Sequence, residues 1–74
     1  MKLSELKTGG MGTVTRVAGD ARFVSRVTSI GIIEGYPIEV VQNAKKRPIL
    51  VFERDSLIAI GREDCDLIDV EERR

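Results

Sequence analysis

The sequence predicts a small, mainly β domain: about five short strands curled into a barrel, with one α-helix inserted near residues 20–30. Three observations carry this. β-Branched and aliphatic residues fall into short runs separated by glycine, proline or charged pairs. One stretch only, Ala21 to Ile30, repeats its apolar residues with helical period. The chain has 74 residues, enough for one domain and too few for two layers of long elements. A sheet this small hides its edges best by closing on itself.

The elements follow in order. Met1 to Thr8 is a lead-in, in which Leu3 and Leu6 fit one short helical turn that Gly9-Gly10 ends. Gly12 to Ala18, with Thr13, Val14, Thr15 and Val17, reads as the first strand. Gly19-Asp20 breaks it, and Asp20 is placed to cap a helix. Phe23, Val27 and Ile30 then form one helical face, and Gly31 is placed to end the helix in the left-handed region. Ile32 is expected to drop back into the core. After Gly35, Ile38 and Val40 alternate with Glu39, and Val41 follows. Asn43 to Arg47 is a polar turn. Ile49 to Glu53 and Ser56 to Ile60 make a hairpin about Arg54-Asp55, with Phe23 and Phe52 both expected in the core. Arg62 to Asp66 suits a short helical turn, and Ile68 to Val70 a last strand. The whole of 1–74 is read as a single domain.

Composition removes several functions. Twelve basic and twelve acidic side chains leave no net charge, so no global field draws in nucleic acid or an anionic membrane. The longest uninterrupted apolar runs are four residues, whereas a membrane span needs about 20. There is no apolar targeting segment at the start, and the single cysteine suits a reducing compartment, so a cytoplasmic chain is expected.

The inventory of reactive groups is short. Cys65 has no histidine anywhere in the chain to activate it, and Glu63, Asp64 and Asp66 beside it disfavour a thiolate. It reads as a half-buried filler. The acids from Glu63 to Glu72 lack a pocket to hold two carboxylates as acid and base. They also lack the loop pattern of a calcium site, so at most they offer a weak hard-cation site. No transition-metal ligand set is visible. Gly9-Gly10-Met11-Gly12 is followed by a strand and not by a helix N-terminus, so it is a turn and not a phosphate loop. No catalytic residue, metal or cofactor is therefore expected. Lys45-Lys46-Arg47 is the one basic cluster, and a nucleic-acid-binding barrel using it, with Arg22 and Arg26, is the alternative function. The few aromatics, Phe23, Tyr36 and Phe52, count against single-strand binding.

One stretch is more specific. Arg26-Val27-Thr28-Ser29-Ile30-Gly31-Ile32-Ile33-Glu34-Gly35-Tyr36-Pro37-Ile38-Glu39-Val40 resembles the signature of the FeoA family (ferrous iron transport protein A). Leu3, Leu6, Gly9, Gly12 and Val14 are similar to that family's opening, and Pro48 to Ile60 to its closing hairpin. Val27 and Ile30 stand where the family pattern has leucines, Glu34 where it has proline, and Asp55 where glycine is common in the turn. The resemblance implies an SH3-like barrel and a non-enzymatic cytoplasmic adaptor of a FeoB-type ferrous iron transporter. It would contact either the transporter's cytoplasmic GTPase domain or its membrane part. The expected contact surface is the helix and the turn after it, with Arg26, Ile33, Glu34 and Tyr36. Ile33 and Tyr36 are equally suited to plain core or edge packing.

Overall fold

The computed structural model describes residues 1–73. Five strands form one antiparallel sheet: β1 (Met11–Val17), β2 (Pro37–Gln42), β3 (Ile49–Glu53), β4 (Ser56–Ile60) and β5 (Ile68–Arg73). Their spatial order is β4-β3-β2-β1-β5. Helix α1 (Ala21–Ser29) lies between β1 and β2, and a single turn, α2 (Arg62–Cys65), between β4 and β5. A 3-10 turn at Leu3–Glu5 precedes β1. The mainly β architecture with one inserted helix is the expected one, and the hairpin strands begin and end where the sequence puts them.

Alternation decides what each strand buries. Val14, Ile38, Val40, Val51, Ile58 and Val70 face one side and are almost wholly buried. Phe23 and Val27 of α1 close that side, and Leu3, Leu6 and Cys65 seal its end. Cys65 is fully buried, deeper than the half-buried position expected of it.

The helix ends show why α1 sits where it does. The Asp20 carboxylate accepts from the Phe23 N–H at 2.8 Å, the expected N-cap. At the other end Gly31 has φ 111°. The Gly31 N–H donates to Thr28 O at 3.1 Å and the Ile32 N–H to Val27 O at 2.9 Å, a Schellman closure. This reversal drives Ile32 into the core, where it is fully buried.

Two expected core residues lie outside. Ile30 is 46% exposed, because the helix stops at Ser29 and Ile32 fills the place that another turn would have given Ile30. Phe52 is 42% exposed, because β3 buries Ile49, Val51 and Glu53 and turns Leu50 and Phe52 outward.

The barrel is not sealed edge to edge, since β4 and β5 stand at opposite ends of the strand order. The lead-in covers β5 instead. The Met1 ammonium donates to Val70 O at 3.1 Å and the Val70 N–H to Met1 O at 2.8 Å. Lys2 adds an ion pair with Asp69 at 3.0 Å.

Candidate partner-binding surface

Arg26 lies on α1, and Ile33, Glu34 and Tyr36 lie on the turn that follows it. Arg26 is exposed on the last helical turns, its guanidinium 3.3 Å from the Asp64 carboxylate and 5.4 Å from the centre of the Phe23 ring. The turn is held from behind, because the Gly35 N–H donates to Val14 O at 2.7 Å and the Val14 N–H to Tyr36 O at 3.0 Å. Gly35 takes φ 91°, which lets the chain double back into β2. Glu34 is exposed at the tip, while Ile33 and Tyr36 are half-buried.

Two residues that sequence reasoning missed lie beside this turn, Arg54 exposed and Glu53 buried beneath it. Arg54 lies 4.3 Å over the Tyr36 ring, a cation–π contact, and its backbone takes φ 56° at the β3–β4 turn. The left-handed residue of that turn is thus Arg54, the one before Asp55. Glu53 is a carboxylate only 3% exposed, with Oε2 3.6 Å from Arg54 Nε and no hydrogen-bond partner. It packs under Gly31, where a Cβ would lie 2.7 Å from its Oε1. Ile49, Val51 and Glu53 share one face of β3, but Leu50 and Phe52 make the other face equally apolar, so the segment alone gives no signal that Glu53 is inside.

The alternative basic cluster lies on the other side of Asp64, the residue that Arg26 pairs with. Lys45, Lys46 and Arg47 are exposed at the β2–β3 tip. Beside them is a hollow of about 370 Å³ lined by Lys46, Arg47, Pro48, Arg62, Glu63 and Asp64. Glu63 and Asp64 put negative charge on its wall, which disfavours a phosphate backbone. Arg62 is committed to the protein, donating to Asn43 Oδ1 at 2.7 Å, Arg47 O at 2.9 Å and Ala44 O at 3.1 Å. Arg22 is exposed on α1, and Arg26 meets the wall of this hollow through Asp64.

Cys65 is chemically quiet. Burial pushes its thiol from 9.0 to about 11; Arg62 opposes the shift, and Asp66 and Asp64 add to it. Its Sγ lies 3.6 Å from Ile60 O. Among the described residues, no three His, Cys, Asp or Glu side chains are grouped to hold a metal ion. No helix among them is long and apolar enough to cross a membrane.

Comparison with known proteins assigns this frame. The FeoA domain family model matches residues 1–72. A Porphyromonas gingivalis protein named Fe(2+) transport protein A/Fe(2+) transporter FeoB fusion protein is 39% identical over 72 residues, 96% of this chain. The chain spans 8% of that relative's length. A crystal structure described as an iron uptake regulatory protein (FeoA) superimposes with TM-score 0.94 at 25% identity, covering 99% of this chain and 97% of that one. Zinc-complexed Stenotrophomonas maltophilia FeoA, described as an SH3 domain protein, superimposes with TM-score 0.80 at 21% identity, covering 96% and 89%. The strand order, the helix between β1 and β2 and a family match over nearly the whole length agree: this chain is an SH3-like domain of the FeoA family.

Proposed function

We propose that this chain is a non-enzymatic, cytoplasmic accessory protein of a FeoB-type ferrous iron transporter, acting through protein–protein contact. The observation that carries the reading is the fused relative, in which a domain 39% identical to this chain shares a polypeptide with a FeoB transporter. Joining two modules raises their effective concentration and favours a contact between them. The absence of an activated nucleophile among the described residues supports a binding role: the one thiol is buried and its pKa is raised.

The contact surface in this reading is the C-terminal end of α1 and the turn to β2. Arg26 and Glu34 supply exposed charge of both signs, and Ile33 and Tyr36 supply half-buried apolar area. Such a patch suits a modest, reversible interface better than a permanent one.

The test is an NMR titration of the labelled protein with the isolated cytoplasmic GTPase domain of the transporter from the same source, with and without nucleotide. Shifts confined to Arg26 through Tyr36 are expected, weakened about tenfold or more by Arg26→Glu. Dependence on nucleotide would mark regulation of the GTPase, and its absence a scaffold. Unshifted spectra at high concentration would remove the GTPase domain as the partner. Shifts confined to the Lys45–Arg47 tip would move the interface there.

A further inference from the structure

The two edges of the sheet are built differently. β5 is covered by Met1 and Lys2 and carries Asp69, Glu71 and Glu72. β4 has the sequence Ser56-Leu57-Ile58-Ala59-Ile60, with no charge and no proline. Its pairing with β3 runs from Glu53–Ser56 to Ile49–Ile60 without a bulge. Charge, proline and bulges are the usual means by which an edge is kept from pairing, and β4 has none of them.

The direction of its free groups follows from the hairpin. Glu53 and Ser56 flank the two-residue Arg54-Asp55 turn, and such a flanking pair is hydrogen bonded. Bonded and non-bonded pairs alternate from there, so Ile58 and Ile60 bond to β3, while Leu57 and Ala59 turn their N–H and C=O outward. Among the described residues, no backbone bond from another segment reaches Leu57 or Ala59. Leu57 is also 61% exposed, and its cross-strand neighbour Phe52 is 42% exposed.

We propose that β4 pairs antiparallel with β4 of a second copy of this chain, about a two-fold axis at Ile58. An outward residue can bond only to an outward residue. This register uses both of them on both strands, setting Leu57 of each copy against Ala59 of the other. A large side chain then lies beside a small one twice, and the exposed Leu57 gains a neighbour. The strand carries no charge to select a foreign partner or to repel its own copy, and the whole chain has no net charge. The two sheets become one across the axis, an isologous interface. It stands independently of the transporter reading.

The test is sedimentation equilibrium and an NMR dilution series of the full chain, from on the order of 1 mM downward. A monomer–dimer equilibrium is expected, with dilution shifts centred on the Leu57 and Ala59 amides. An isotope-mixed sample should give a contact between the Leu57 amide of one copy and the Ala59 amide of the other. Leu57→Lys should raise the dimer dissociation constant about tenfold or more, because a charge at a paired edge opposes pairing. Thr15→Lys, the same charge change on exposed Thr15 of β1, should leave it unchanged. A chain that stays monomeric overturns the proposal. So does a dimer insensitive to Leu57→Lys, or dilution shifts centred on another surface.

Discussion

Gly31 is the residue whose identity this fold constrains most visibly. Its φ of 111° lies where a side chain is strained, and a Cβ there would stand 2.7 Å from the Glu53 carboxylate. Gly31→Ala should therefore cost about 2–4 kcal/mol in urea denaturation, the backbone penalty plus displacement of a buried carboxylate. The sequence shows the first half of this, since Gly31 follows a helical face. It does not show the second half, because Glu53 is distant along the chain and reads as a polar strand end. Cys65 makes a separate prediction. The unfolded thiol titrates near 9.0 and the folded one near 11, so between those values the unfolded chain binds fewer protons. Stability is fully present below pH 9 and falls as pH rises toward 11. Denaturation midpoints across that window should decline more steeply for the native protein than for Cys65→Ala.

Among the elements, α1 depends most on its ends. It buries only Phe23 and Val27, and isolated helices of nine residues do not persist in water. Asp20 supplies the N-cap, so Asp20→Ala should lower stability by about 1 kcal/mol, read as a reduced urea midpoint with unchanged slope. The helix is legible because cap, period and terminal glycine agree. β3 is less so. Ile49-Leu50-Val51-Phe52-Glu53 is apolar on both faces, and its pairing with β2 and β4, which sets Val51 between Val40 and Ile58, fixes which face is inside. The outward turn of Phe52 is therefore a property of the sheet and not of the segment. The same holds for the edges, since sequence order does not reveal that β5 is covered by the lead-in and β4 is not.

At the scale of the whole molecule, the lead-in and the β2–β3 loop lock the barrel end together through one side chain. Asn43 Nδ2 donates to Leu6 O at 2.6 Å and Ser4 O at 3.1 Å, while its Oδ1 accepts from Arg62 at 2.7 Å. Arg62 in turn holds the carbonyls of Ala44 and Arg47. Three segments distant in sequence, the lead-in, the loop and α2, meet here, which is why the stretch from Asn43 to Arg47 reads only as a polar turn from sequence. A domain of this size has a total stability of about 4–11 kcal/mol. Asn43→Ala and Arg62→Ala each strand partly buried acceptors, so each should cost about 1–3 kcal/mol. The two side chains share a hydrogen bond, and either substitution already removes it. The double variant should therefore lose less than the sum of the single losses, by about 0.5–3 kcal/mol. Urea denaturation of the four proteins measures that difference directly. Additivity within about 0.5 kcal/mol would mean that the lead-in and α2 are held independently, and that the barrel end is two contacts and not one network.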